Sequence, residues 1–387
     1  MLIGAKICAN HFPDQYVKSF IIESGDTCIC EYCPSNTTCV STWDLARFIE
    51  DCIVSEYDNP DNLEYLYNAE LGKYYSVYSQ LKVYNTTELL EELLPDVDFE
   101  ILEDISNHFS NNFWASNDSI WGPSQTTFLK NGWEKFKNII KHKVRFLFFD
   151  DTFKYTFHDE ADEALNPYLI LKELGEGIQK LNLFTAFDGG QLQVFRCRQH
   201  NNEEPVNNAF ALGSSPSSKA KANRMSPVGI SMFYGALDLY TCNDEVLDVN
   251  WHNTILTTGC FTNLKALNLI DFTKIKNTHS IFDAANSDNR VLITFIQEFT
   301  KDLSIPIKPD DKTHIDYIPT QIGTEYLRYF LNPIHGIIYN SVKGHGGKCV
   351  VLFIENDQIT DNIKAQPLSK VSLLELDNKS IVNKNIN

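Results

Sequence analysis

Long apolar runs are missing from this chain. A helix that crosses a bilayer needs roughly 18 or more consecutive apolar residues, and no stretch comes near that, so no membrane span is expected. The opening "MLIGAKICANHFPDQ" lacks the apolar core and small-residue cleavage site of a secretory signal, and the expected location is cytoplasmic. Basic residues are scarce beside acidic ones: 33 Lys and Arg stand against 51 Asp and Glu, a net charge of −18. Neutralising phosphates takes clustered Lys and Arg, so a nucleic acid is not expected as partner. A small anionic ligand is still allowed, because a few local Arg side chains outweigh a distant global field. No helix-turn-helix and no internal repeat is recognisable. "GHGGK" is too short for a P-loop, which needs a longer Gly to Gly-Lys spacing, and its His345 reads as a loop residue rather than a base.

What is present describes a globular protein. The chain has 387 residues, 43% of them apolar and 22% charged, enough for two or three domains at roughly 150 residues each. The acidic runs "EYDNPDNLEY" and "ELLEELLPDVDFEILED" read as solvated faces. Cysteine use divides the chain. Cys8, Cys28, Cys30, Cys33, Cys39 and Cys52 crowd its start, whereas Cys197, Cys242, Cys260 and Cys349 are spread among apolar neighbours and read as buried thiols.

In "STWDLARFIEDCIV", Ser41 with Asp44 three residues on is a helix-capping pattern. Leu45, Phe48, Ile49, Cys52 and Ile53 then fall on one helical stripe. Helical patterns continue in "TTELLEELL", "DFEILEDISNHF", "FLKNGWEKFKNIIKHKVRFLFF" and "EALNPYLILKELGEGIQKL", where Pro167 sits near a helix start. After Gly189 and Gly190 the texture changes. Strands are expected in "QVFRCRQ", "SMFYGAL", "LKALNLIDF", "HGIIYNS" and "GKCVVLFI", with helices at "DNRVLITFIQEFTKDL" and "PTQIGTEYLRYFL". The fold class is α+β: a Cys-rich, zinc-ribbon-like head over 1–40, a mainly helical domain over 41–185, a mixed α/β domain over 186–376, and a polar tail over 377–387 that is open to disorder.

Cys8-x2-His11 and Cys30-x2-Cys33 are two ligand-type pairs. A tetrahedral zinc needs four sulfur or imidazole ligands, and a tight turn aims two of them at one point. The spacing points to a structural zinc, with Cys28 or Cys39 open as a replacement for one member. Four protein ligands would leave no open position for catalysis.

Four separated segments, "VFRCR", "NRMSPVGISMFYGALDLYTCNDEV", "IPTQIGTEYLRYF" and "HGIIYNSVKGHGGKCVVLF", together resemble the RES domain, named for its Arg, Glu and Ser. The segments "CANHFPDQYVKSFI", "CEYC" and "GWEKFKNIIKHKVRFLF" look like the HEPN/RES N-terminal domain that often precedes it. The resemblance implies a fold similar to ADP-ribosyltransferases and action on NAD, either by degrading it or by moving ADP-ribose to a protein. It also implies toxin-like roles in toxin–antitoxin pairs or defence. Motif by motif it places the family Arg on Arg196, with Arg198 as competitor, and a second Arg on Arg224. It places the Tyr on Tyr234, the Glu on Glu245 and the Ser on Ser341. Here "YTCND" replaces the Ala-rich segment usual before the Glu. HEPN ribonucleases pair an Arg with a His four to six residues later, and neither Arg47 nor Arg145 in the helical region has one.

The residue types suit the chemistry. Breaking the nicotinamide–ribose bond builds positive charge on the sugar, as in glycoside hydrolysis, and Glu245 could stabilise it. Arg196 and Arg224 offer planar forks for the pyrophosphate. Tyr234 could lie against the nicotinamide ring, and Ser341 could bind a phosphate or ribose hydroxyl. The expected function is NAD cleavage by a glycohydrolase or phosphorylase, with protein ADP-ribosylation and a non-enzymatic zinc-bearing interaction module as alternatives. An antitoxin or other regulatory protein, and self-association, are the macromolecular partners this leaves open.

Overall fold

Asp14 and Ser41 start the first two helices. The Asp14 carboxylate accepts from the amides of Tyr16 and Val17 and opens α1 (Gln15–Ser24). The Ser41 hydroxyl accepts from the Asp44 amide at 3.0 Å and donates to its carboxylate at 2.6 Å, opening α2 (Thr42–Ile53) as the sequence predicts. In this computed structural model the described residues are 4–62, 65–68, 73–76, 82–116, 125–148, 166–201, 205–275, 280–283, 286–304, 313–343, 346–362 and 372–386. They form two compact units, 1–128 with 277–292, and 129–276 with 293–387. No helix among them is long and apolar enough to cross a membrane. Gly344 and His345 lie outside them.

In the first unit, β1 (Lys6–Cys8), β2 (Asp26–Ile29) and β3 (Asn36–Ser41) form an antiparallel sheet of order β1-β3-β2, with Cys8 opposite Cys39. Leu45, Ile49, Cys52 and Ile53 of α2 are buried and Phe48 half-buried, which matches the stripe. They share one core with Ile7, Phe12, Val17 and Ile21 of the Cys-rich head, and with Leu89, Ile101 and Trp114. The region from 41 is rich in helix as expected, but it also carries short strands. Between α2 and α3 (Thr86–Leu93) lie β4 (Tyr57–Asp58), the pair β5 (Tyr65–Asn68) and β6 (Lys73–Ser76), and β7 (Val83–Asn85). After α4 (Phe99–Ser106), β8 (Phe113–Ser116) joins β4 and β7 in a second small sheet. These strands are too short to show a period, and Trp114 is fixed by tertiary contacts: its indole N–H donates to Thr86 Oγ1 at 3.0 Å.

The second unit holds most of α5 (Gln125–His142) and all of α6 (Pro167–Lys180), with Pro167 in the first turn as expected. The helix predicted through "KVRFLFF" ends at His142, because the apolar residues beyond it are consecutive instead of helically spaced. Next come β9 (Phe184–Phe187), β10 (Gln193–His200), α7 (Ala209–Leu212), β11 (Phe233–Ala236), α8 (Leu239–Val246), β12 (Thr254–Asn263) and β13 (Leu267–Asp271). Most of α9 (Ser287–Ser304), then α10 (Thr313–Asp316), α11 (Ile318–Phe330), β14 (Gly336–Asn340), β15 (Lys348–Leu352), β16 (Ile359–Asp361) and β17 (Leu374–Ile386) complete it. Every strand and helix predicted in this half is present. The sheet has nine strands in the order β16-β17-β12-β10-β11-β15-β14-β13-β9. Its core includes Val194, Phe233, Phe261, Val350 and Leu352.

The polar tail after Leu376 is not disordered. Residues 377–386 continue β17, which runs antiparallel to β12 from Leu374 opposite Asn263 to Ile386 opposite Thr254. Its polar side chains are tolerated because β17 is held through the backbone ladder and by polar pairs, such as Thr257 Oγ1 donating to Asn383 Oδ1 at 2.6 Å.

Candidate active site

The strand "VFRCR" and the strand "MFYGA" meet at a single residue pair, Phe195 opposite Ala236. Beyond that pair Arg196 takes over from the ladder. Its Nη1 donates to the Tyr234 carbonyl at 2.5 Å and its Nε to the Leu212 carbonyl at 2.7 Å, with the guanidinium 5.0 Å from the centre of the Phe233 ring. Arg196 therefore meets Tyr234 through the main chain, not the ring. Burial lowers its pKa to about 10, so it stays charged at neutral pH. Arg198 is exposed and donates to the Ala211 carbonyl at 2.8 Å.

Arg224 lies in the turn before β11. Its Nη1 donates to the carbonyls of Leu303 and Ser304 at 3.1 and 2.6 Å, the C-terminal end of α9, where a cation suits the orphan carbonyls. The turn is fixed from α11. Thr320 Oγ1 donates to the Arg224 carbonyl at 2.6 Å, and Gln321 Nε2 donates to the carbonyls of Asn223 and Ser226 at 2.8 and 3.1 Å. The Ser226 hydroxyl in turn pairs with the Tyr234 hydroxyl at 2.9 Å. Burial pushes the Tyr234 pKa up to about 12, so the phenol is neutral.

Glu245 sits on α8, which begins where Asp238 accepts from the Thr241 amide and hydroxyl at 2.8 and 2.7 Å. At the other end Lys343 Nζ donates to the carbonyls of Asp244 and Glu245 at 2.9 and 3.1 Å. A Cβ on Gly347 would overlap the Thr241 side chain, so glycine there allows α8 to approach. The Ser341 hydroxyl donates to Glu245 Oε1, and the Cys349 thiol reaches the same oxygen at 3.7 Å. Oε2 takes part in neither contact.

Tyr339 was not singled out from the sequence. It lies opposite Cys349 in the β14–β15 ladder. Burial holds its pKa well above the tyrosine value; Cys349, Tyr234 and Glu245 raise it further, while Arg224 lowers it. Burial likewise pushes the Cys349 thiol up to about 12, with Glu245 adding to it, so this cysteine is a thiol donor and not a nucleophile. The structure thus brings Glu245 and Ser341 into contact, ties Arg224 to the end of α9, and ties Arg196 to the backbone of Tyr234. Thr320, Gln321, Tyr339 and Cys349 are the supporting residues that motif reading passed over. Of the expected buried thiols in this half, Cys197, Cys242 and Cys349 are buried and Cys260 is half-buried.

These positions lie inside one of two matched families. The HEPN/RES N-terminal domain 1 model matches residues 23–154, and the RES domain model matches residues 193–372. The chain carries a RES domain behind a HEPN/RES N-terminal domain. No curated protein matches it. The RES match contains Arg196, Arg224, Tyr234, Glu245, Ser341, Tyr339 and Cys349. An Arg and a His four residues apart do occur, Arg196 and His200, but on one strand of the RES domain and not in the HEPN-type region. His200 Nε2 is paired with Thr257 Oγ1 at 2.8 Å.

In the first unit, Cys8, His11, Cys30 and Cys33 place their ligand atoms within 4.8 Å of one another. Burial pushes Cys8 up to about 11, while hydrogen bonds from Ser35 hold Cys33 down to about 6. Cys39 is turned to other partners: its thiol donates to the carbonyls of Thr37 and Cys28 at 3.4 and 3.6 Å.

Proposed function

We propose that the RES domain cleaves the bond between nicotinamide and ribose in NAD, with water or phosphate as acceptor. One observation carries the reading: a carboxylate on α8 has one oxygen held by Ser341 and Cys349, so its other oxygen keeps a fixed direction. When the bond breaks, nicotinamide leaves with the electron pair and the ribose carbon becomes electron-poor. Glu245 Oε2 stabilises that charge, or holds a ribose hydroxyl whose contact strengthens as charge develops. An oxygen of water then forms the new bond and releases its proton to solvent, or an unprotonated phosphate oxygen forms it with no proton to lose.

Arg224 has Nε and Nη2 for the pyrophosphate, and Arg196 has Nη2, since their other nitrogens are committed to carbonyls. The neutral Tyr234 ring stacks on nicotinamide. The ADP-ribosyltransferase-like fold, the toxin or defence role and the restraint by an antitoxin or regulatory protein belong to this same reading. Unrestrained NAD loss would harm the host cell.

The test is product analysis of NAD incubated with the protein, with and without phosphate. Free nicotinamide with ADP-ribose identifies hydrolysis, and ADP-ribose phosphate identifies phosphorolysis. ADP-ribose bound to protein would replace this proposal by protein modification, and unchanged NAD under every condition would remove it.

A further inference from the structure

The geometry points to a closed structural zinc centre in the first unit, made by Cys8, His11, Cys30 and Cys33. It is independent of the NAD chemistry. Zinc–sulfur bonds of about 2.3 Å and a zinc–nitrogen bond of about 2.0 Å, set at tetrahedral angles, put two sulfurs about 3.8 Å apart and a sulfur and a nitrogen about 3.5 Å apart. Cys8 Sγ and Cys33 Sγ are 3.7 Å apart, and Cys30 Sγ and His11 Nε2 are 3.4 Å apart. These separations fit ligands around one ion. They do not fit a disulfide, whose sulfurs stand about 2.0 Å apart.

The donor set favours zinc over harder cations. Three thiols and an imidazole are soft to borderline ligands, whereas calcium and magnesium demand oxygen. Cys8 and Cys30 are buried, and His11 and Cys33 are half-buried. Four protein ligands fill the tetrahedron, so the ion has no open position and its role is structural. Cys28 and Cys39 are outside the group whose ligand atoms converge, and the Cys39 thiol is directed at the Cys28 and Thr37 carbonyls.

The backbone already frames the site. The Glu31 amide donates to the Lys6 carbonyl at 2.9 Å, and the Cys30 amide to the Ser35 carbonyl at 3.0 Å. This ties the segment carrying Cys8 and His11 to the turn between β2 and β3, which carries Cys30 and Cys33. Ile7 and Phe12 flank the first ligand pair and are fully buried in the core of this unit. The ion therefore fastens a segment whose apolar residues complete that core. Cys8 and His11 precede the region matched by the N-terminal family, so that match does not include half of the ligand set.

The test is metal analysis of the full chain, purified without a histidine tag. About one zinc per chain is expected, falling at least about tenfold in Cys30→Ser and in Cys33→Ser but unchanged in Cys28→Ser and Cys39→Ser. Because a ligand variant can fail to fold, X-ray absorption at the zinc edge of the unaltered protein is the second measurement. It should show three sulfur neighbours and one nitrogen neighbour. A chain that holds almost no zinc and takes up none when refolded with zinc alone would overturn the inference. So would oxygen-rich coordination, stoichiometric iron, or zinc retained by both Cys30→Ser and Cys33→Ser.

Discussion

Ser341 and Glu245 lie 96 residues apart in sequence, and the hydroxyl of the first donates to the carboxylate of the second. The contact joins the end of β14 to α8, two elements that neither local motif defines by itself. In the proposed reading Ser341 orients the carboxylate. A hydrogen bond to a charged group contributes about 1.5–3 kcal/mol. Ser341→Ala is therefore expected to lower kcat/KM for NAD by roughly 10- to 100-fold. Cys349→Ala should lower it less, because a thiol is the weaker donor. Steady-state nicotinamide release checks both, and wild-type rates in Ser341→Ala would contradict the role.

Tyr234 tests the charge state of the site. With its pKa pushed up to about 12, the phenol is protonated throughout the neutral range. Tyr234→Phe then removes a hydroxyl partner of Ser226 but no charge. The ratio of wild-type to variant activity should stay flat from about pH 6 to about pH 9. A ratio that changes steadily across that range would show a phenol ionising there.

For stability the sign is the same. A tyrosine held protonated in the folded state favours folding below the unfolded value near 10, and that advantage is lost as pH rises through about 12. Thermal unfolding of the wild type should weaken across that alkaline window, and Tyr234→Phe should weaken less.

Arg196→Lys separates geometry from charge. A lysine keeps the positive charge but is a point donor, and cannot span the carbonyls of Leu212 and Tyr234 as the guanidinium does. The variant is expected to lose at least about tenfold in kcat/KM and to melt lower, since one buried carbonyl loses its partner. Activity and melting temperature equal to wild type would show that charge alone suffices.

Gln321→Leu probes the support of Arg224 from α11. The substitution removes two hydrogen bonds to the turn at 223–226, at a cost of about 1–2 kcal/mol. KM for NAD should rise more than kcat falls, because Arg224 is assigned to substrate binding. Chemical denaturation and initial rates measure the two effects. A fall in kcat with unchanged KM would count against that assignment.

Where the chain uses local signals, the sequence is readable. Ser41 caps its helix, Pro167 begins another, and the apolar runs around Phe233, Ile337 and Val350 become strands. Of the motif residues, Glu245 and Ser341 touch through their side chains, and Arg196 reaches Tyr234 through its carbonyl.

What sequence hides depends on tertiary partners. "TILTTGCFTN" becomes the long strand β12 because Thr257 and Thr258 find Asn383 and Asn243, which polar composition alone does not announce. "LYTCNDEV" has a weak apolar stripe, and α8 depends on Asp238 at one end and Lys343 at the other. Cys349 reads as an ordinary strand residue, since only the fold brings Glu245 against it.

The central claim is that the Glu245 carboxylate drives cleavage of NAD. Nicotinamide release by the wild type and by Glu245→Gln, measured side by side at saturating NAD with phosphate present, tests it most directly. The account predicts stoichiometric nicotinamide from the wild type and a rate at least about 100-fold lower from the variant, with both proteins melting at similar temperatures. Equal rates from the two, or no nicotinamide from a folded wild type, would contradict it.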